Sequence, residues 1–522
     1  MERTENIDLG IELSFLDKRE GCLKITSRLF SANERERLAY TLNGSELVCS
    51  LGEYTKINDT YRYIFEIKLE YPLINKEHSL SFKEPIRTGY YFPLESSLNG
   101  YYMLDSHIVY CRDNDLVFSP YEKKLLKDLK KKYRRAVLKP NKTALIALAI
   151  RILNRMLKPF YKKELWLISD RIDKAGDNGE SFFKYAVSHA PGNVKCVFLL
   201  DKKSGDYKRI KKIGKVKSPA SPFYKVYYTL ASKHISSQLD GSRLLSVRAY
   251  LKDILREQKT VFLQHGVTKD DISSYYNRFD FGIDMISCAT KDEYSSIVSN
   301  KNYGFDREIA KGCGFARYDS LTSEREKIIF IAPTWRLFLL KDTEGCELVD
   351  DFKQSKYYNF YNGLLHSEEL ISLAKEKGYS LCFYPHAMMK NASEYFKSLD
   401  HVFIEPTQFS YNEMFKRGAM LLTDYSSVQF DFAYLKKPLI YCHFDRDELN
   451  ASHTYKAGYF EYERDGFGPV TYDLDGAINT LCEYIGKDCA LEDKYRERID
   501  NTFLHSDKNN CERTLKDILS LK

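Results

Sequence analysis

Two doubly wound α/β domains of Rossmann type, facing one cleft and preceded by a small β-sandwich-like domain, are what this sequence predicts. Three patterns carry that prediction. From Leu165 onward, short apolar runs alternate with helix-sized gaps, as parallel strands covered on both faces require. The series then repeats, which gives two such domains. Residues 1–118 instead carry alternating, β-rich runs separated by Asn-Gly, Asn-Asp and Pro, the mark of antiparallel strands and turns. A length of 522 residues suits about three domains.

In chain order, residues 1–118 hold KITSRLF, ELVCSLGEY, RYIFEIKLEYPL and SHIVYCRDNDLVFS. No catalytic pattern lies among them, so this domain reads as an accessory or positioning module. Residues 119–163 form a basic linker. Between Tyr121 and Lys163 there are 15 Lys and Arg against two acids, Glu122 and Asp128, so this segment carries +13 in a chain whose formal net charge is +7. Leu125, Leu126, Leu129, Tyr133 and Val137 fall near helical spacing. Pro140 interrupts the helix, and Leu145, Leu148, Ile152 and Met156 resume it. A basic amphipathic helix suits an anionic membrane surface. A solvated linker helix and a nucleic-acid patch are the alternatives, and no nucleic-acid-binding motif accompanies the charge.

Residues 164–315 make the first α/β half, with strands at 165–169, 195–200, 233–238, 260–266 and 284–290. Residues 316–522 make the second, with strands at 328–335, 381–386, 401–406, 419–427 and 439–445. A hinge spans 304–327, and a helical tail from around residue 491 packs back across it.

Several classes are excluded. The N-terminal MERTENIDLGIELSF has no apolar core of the kind a signal peptide needs. The longest apolar stretch, TALIALAI, falls well short of the ~20 residues of a membrane-spanning helix. The 12 cysteines form no CxxC pair and no zinc-type spacing with histidine, which predicts a reduced cytosolic protein without a structural metal. Gly312-Cys313-Gly314 starts like a dinucleotide fingerprint but lacks its third glycine, and no Walker sequence is present.

Ligands of doubly wound sheets sit outside the carboxyl ends of the strands, so the polar residues there are the site candidates. His265 follows an apolar strand and precedes a glycine, which suits a general base that a substrate can approach. His386, after Pro385, is placed to donate to a phosphate. Ser426 and Ser427 precede the apolar helix VQFDFAYL, where N–H groups and hydroxyls favour an anion; helix capping is the plainer role. Asp424 reads equally as a group that orients a neighbour or binds a donor hydroxyl and as a merely structural cap; Asp431 reads similarly, with an exposed helix face as its plain alternative. Arg336 is a candidate fork for a phosphate, with carbonyl capping or pairing with acids as the alternative. Glu405 and Thr407 fall where this fold type holds a ribose or base. Asp177, Asn178 and Gly179, in a loop before a helix, are candidates for the acceptor's phosphate. His443, His453 and His505 read as structural or rim residues.

Six elements in fixed order resemble the CDP-glycerol glycerophosphotransferases of teichoic-acid and capsule synthesis: QHG, GFARYDSL, IIFIAPTWR, CFYPH, LLTDYSSVQFDFAYLKKPLIYCHFD and FLHSDKNNCER, between Leu165 and Arg513. The resemblance implies a GT-B fold with the acceptor on the first half and a CDP-polyol donor on the second. It implies a catalytic histidine at 265, a phosphate-contacting histidine at 386, and lipid-linked or polymeric acceptors met at the cytoplasmic face of the membrane. The expected reaction transfers a polyol phosphate, glycerol phosphate in preference to ribitol phosphate, with release of CMP. A sugar-nucleotide glycosyltransferase of the same fold is the rival reading. No tightly bound cofactor is expected, although a Mg²⁺ carried on the donor diphosphate would leave little trace. The sequence leaves oligomeric state open.

Overall fold

The computed structural model describes residues 9–521 except 58, 95–97, 139–140, 222, 240–244, 256, 343–344, 405–409 and 453–455. The N-terminal region is a sandwich of a five-stranded and a six-stranded sheet. Alternation along its strands sends Leu13, Ile25, Phe65, Leu80, Leu116 and Phe118 into one core between the sheets. The sandwich docks on the first α/β lobe through the Phe15–Phe279 ring pair, 5.4 Å between centroids. Beside it the two-pronged Arg278–Asp17 bridge makes both bonds at 2.7 Å.

The basic linker forms two helices, Lys123–Val137 and Lys142–Leu157. Leu125, Leu126 and Leu129 of the first pack on Ile108, Tyr110 and Val117 of the sandwich. The second buries Ala144, Ala147, Ile150 and Asn154. The stripe read from the sequence is therefore turned outward: Leu145, Ile152 and Met156 are exposed. Small residues pack closest to the neighbouring helix and leave the large ones outside. Pro140 lies outside the described residues.

The first lobe is a parallel sheet of seven strands. Their spatial order is Val216–Lys217, Val194–Leu199, Glu164–Ser169, Lys233–Ser236, Lys259–Phe262, Met285–Ser287, Ala310–Lys311. The second lobe repeats the pattern with six: Val402–Ile404, Ser380–Phe383, Ile328–Ile331, Met420–Thr423, Leu439–Cys442, Val470–Thr471. In each lobe the first strand in sequence lies in the interior and the order reverses beside it. That reversal opens a crevice at the strands' carboxyl ends. In the first lobe it lies between Glu164–Ser169 and Lys233–Ser236, in the second between Ile328–Ile331 and Met420–Thr423.

The closing helix Asn510–Ser520 returns to the first lobe, where Cys511, Leu515 and Ile518 join the core around Trp166 and Phe182. Among the described residues no helix is long and apolar enough to cross a membrane.

Candidate active site in the interlobe cleft

Each crevice is tied by one buried carboxylate. In the first lobe Asp170 receives the N–H groups of Asp177, Gly179 and Glu180 and the hydroxyl of Ser237, across the point where strand order reverses. In the second lobe Asp424 receives the N–H and hydroxyl of Thr334, the N–H of Tyr425 and one arm of Arg336. Both halves thus use a buried acid just past a strand as a tie: Asp170 holds its own strand's loop and Ser237 of the neighbour, and Asp424 holds the loop that leaves the neighbouring strand.

This device corrects three expectations. The loop at Asp177, Asn178 and Gly179 has no N–H to offer an acceptor phosphate, because those of Asp177 and Gly179 go to Asp170 and that of Asn178 to the Asp177 carboxylate. Gly179 is needed for closeness, since a Cβ there would lie 2.3 Å from the Ser169 carbonyl oxygen. Arg336 is 0% exposed, and its guanidinium is fully engaged by Asp445, Asp424 and the Thr334 carbonyl. It is an internal tie rather than a fork for phosphate. Asp424 is equally buried. Burial opposes its ionisation, but Arg336 and Thr334 outweigh it and hold the carboxyl below its usual range. It braces the loop, the neighbour-orienting one of its readings.

His265 stands on the turn after Lys259–Phe262. Gln264 before it adopts φ +58°, a left-handed conformation costly for a residue with a Cβ. Its side chain is locked in compensation: Nε2 donates to the Ser287 carbonyl at 2.6 Å and to Glu293, and Oε1 accepts from Thr268 at 2.8 Å. The turn presents the His265 side chain, 67% exposed, to the cleft. Its Nδ1 meets Asp177 Oδ2 at 2.5 Å. Burial among cleft groups lowers the imidazole's basicity, the Asp177 carboxylate raises it, and the net shift is upward. With Nδ1–H held by Asp177, Nε2 is the nitrogen left to take a proton.

Asp177 is itself held by Arg317, whose Nη1 donates to Asp177 Oδ1 at 3.0 Å and to the His265 carbonyl at 2.9 Å. The same guanidinium makes a two-pronged bridge to Asp431 at 2.6 and 2.8 Å. Asp431, with an exposed helix face as one of its two sequence readings, is 2% exposed. Asn178 completes the frame, donating to the Leu263 and Gln264 carbonyls and accepting from the Arg317 N–H.

From the second lobe, His386 follows the strand Ser380–Phe383. Its Nδ1 accepts the N–H of Met388 at 3.2 Å, so the ring proton sits on Nε2. Burial and then the neighbouring His265 push its pKa down to about 4, so it is a neutral donor near pH 7. Trp335 lies nearly parallel to the ring. Ser426 and Ser427 begin the helix Val428–Tyr434, and the Ser427 hydroxyl makes no capping bond. The lobes meet here: a Cβ on Gly266 would lie 2.6 Å from Ser427 Oγ. Asn412 also reaches across to the Gly176 carbonyl at 3.3 Å.

His265, Gly266, His386 and Ser427 therefore line one seam between the lobes. Glu405, Thr407 and His453 lie outside the described residues. His443 is buried behind the site, stacked 4.4 Å from Tyr425. His505 contacts the Gly312 carbonyl at 2.8 Å. Sequence reasoning missed Arg317 and left Asp431 between a neighbour-orienting or ligand role and an exposed helix face; the available signal was a charge set among apolar residues in each of two stretches.

The family described as CDP-Glycerol:Poly(glycerophosphate) glycerophosphotransferase matches residues 150–520. The minor teichoic acid biosynthesis protein GgaB of Bacillus subtilis (strain 168) is 38% identical over 383 residues, which are 72% of this chain and 42% of that protein. A teichoic acid glycerol-phosphate transferase of Staphylococcus aureus (strain NCTC 8325 / PS 47) is 22% identical over 309 residues, 53% of this chain and 69% of the other. The chain thus spans less than half the length of GgaB. Among solved structures, the wall teichoic acid polymerase TagF superposes with a TM-score of 0.51 at 17% identity, covering 73% of this chain and 97% of that one. That likeness establishes the two-lobed GT-B-like fold.

Proposed function

The chain belongs to the CDP-glycerol:poly(glycerophosphate) glycerophosphotransferase family, and from that membership we propose that it moves a polyol phosphate, glycerol phosphate first, from a CDP-polyol to a hydroxyl of a polymeric or lipid-linked acceptor in teichoic-acid or capsule synthesis. The observation that carries the proposal is the Asp177–His265 pair on one lobe opposite His386 and Ser427 on the other.

In this reading the acceptor O–H gives its proton to His265 Nε2 as its oxygen attacks the polyol-bearing phosphorus. The bond from that phosphorus to the bridging oxygen breaks, and CMP departs with the electron pair. His386 Nε2–H and the Ser426 and Ser427 hydroxyls donate to the diphosphate oxygens on which charge gathers. A loose phosphoryl-transfer transition state needs alignment and charge stabilisation more than covalent help. The general base contributes roughly 10²–10⁴-fold.

The outward face of the helix Lys142–Leu157 supports peripheral attachment to the inner membrane surface. Leu145, Ile152 and Met156 stand exposed beside Arg155 and Lys158, and Phe160 just beyond is 81% exposed. Apolar insertion flanked by cations is how a helix binds an anionic interface.

The test is a donor screen. Purified protein with a lipid-linked acceptor analogue is given CDP-glycerol, CDP-ribitol or UDP-sugars, and the released nucleotide and product mass are read. CMP release with a mass gain of one polyol phosphate supports the reading. UDP release alone overturns it in favour of a glycosyltransferase.

A further inference from the structure

The catalytic histidine's ionic partner does not end at Asp177. A chain of charged contacts runs from the exposed His265 through Asp177 to the buried Arg317 and Asp431, with closest contacts of 2.5, 3.0 and 2.6 Å. Its far end lies in the other lobe. Arg317 stands on the short helix Ala316–Ser320, which packs on the helix Asn178–His189 of the first lobe and, through Tyr318 stacked on Tyr434, on the second. Asp431 stands on Val428–Tyr434, the helix that begins behind Ser426 and Ser427. We propose that Arg317 and Asp431 are positioning residues that set the basicity of His265 from the seam between the lobes.

Asp177 alone would hold a proton on His265 strongly, because a carboxylate in hydrogen-bond contact favours imidazolium. Arg317 shares that carboxylate and also donates to the His265 backbone carbonyl, so its fixed positive charge limits the effect. Asp431 in turn neutralises Arg317 through a two-pronged bridge, the geometry in which guanidinium and carboxylate match best. The groups facing His265 are thus Asp177 from its own lobe, Arg317 from the helix between the lobes, and Asp431 and the neutral His386 from the second lobe. Arg317 lowers and Asp431 raises the imidazole's affinity for a proton.

The inference rests on His265 acting as base in the proposed reaction, and its test separates the two. CMP release from CDP-glycerol is measured against pH for wild type, Arg317→Gln, Arg317→Lys and Asp431→Asn, each normalised to its own plateau, with melting curves alongside. Arg317→Gln is expected to move the acidic limb of kcat/KM to higher pH, so that it is several-fold slower than wild type at a pH on that limb. Asp431→Asn is expected to move the limb to lower pH and be several-fold faster there. Arg317→Lys keeps the charge and leaves the limb near its wild-type position with a reduced plateau. Limbs that stay put in active variants, or that move in the same direction, overturn the inference. So does failure of all three variants to fold, which would make the chain a structural clamp only. A wild type without CMP release at any pH sinks the underlying function instead.

Discussion

Asp177, the N-cap of the helix Asn178–His189 in the first lobe, and His265 on a turn 88 residues later meet at 2.5 Å, carboxylate to Nδ1. That contact directs Nε2 into the cleft and favours the imidazolium that forms when a hydroxyl is deprotonated.

Replacement of His265 by Ala should therefore lower the rate of transfer by roughly 10²–10⁴-fold while leaving the melting midpoint nearly unchanged, since the side chain is largely exposed. Stopped assays of CMP release, with calorimetry alongside, check both halves of that expectation.

Asp177→Asn tests the sign of the pKa effect. The Asp177 carboxylate outweighs burial and raises the His265 pKa above its ordinary value. The reactive form is the neutral one, so activity falls as pH drops through that pKa. Loss of the carboxylate should shift the acidic limb to lower pH while also reducing the plateau, because Nδ1–H is no longer held. An unshifted limb would mean that another group titrates.

The Arg336 assignment separates an internal tie from a phosphate ligand. Arg336→Ala leaves Asp424 and Asp445 buried without their partner, and breaking a buried pair on one side costs about 3–5 kcal/mol. Denaturant unfolding should show that loss. A variant that keeps wild-type stability and only binds CDP-glycerol more weakly would restore the fork reading.

Gly266→Ala probes the seam. Its new Cβ would press on Ser427 Oγ. A hydroxyl can rotate aside for about 0.5–1.5 kcal/mol, so folding should survive while the hydroxyl leaves its cleft-facing position. The expected outcome is a higher KM for CDP-glycerol with a melting midpoint close to wild type.

Charge reversal of Arg155 and Lys158 together should weaken sedimentation with anionic vesicles by ~10-fold or more, as each basic residue near the headgroups is worth about 1 kcal/mol. Phe160→Ser should weaken it on neutral vesicles as well. Equal binding of all variants would remove this face from consideration.

The sequence made the central strands legible because each is a contiguous apolar run, as in Glu164–Ser169 and Leu439–Cys442. The edge strands Val216–Lys217, Ala310–Lys311 and Val470–Thr471 were not, since two residues each carry no periodicity. His265, His386 and Ser427 were visible as polar residues directly past apolar strands. Arg336 and Asp424 were visible for the same reason, but position alone does not choose between a ligand contact and two opposite charges that neutralise each other across the crevice. Arg317 and Asp431 were hidden in GFARYDSL and VQFDFAYL. A charge inside an apolar stretch has to find a counter-charge when buried, but the partner, 114 residues away, is fixed only by the way the lobes meet.

The most direct test is a structure with CDP-glycerol bound. The diphosphate is expected within about 3 Å of both His386 Nε2 and the Ser427 hydroxyl, with room for the acceptor hydroxyl between His265 Nε2 and the polyol-bearing phosphorus. A donor seated elsewhere, with its diphosphate beyond reach of those groups, would contradict that expectation.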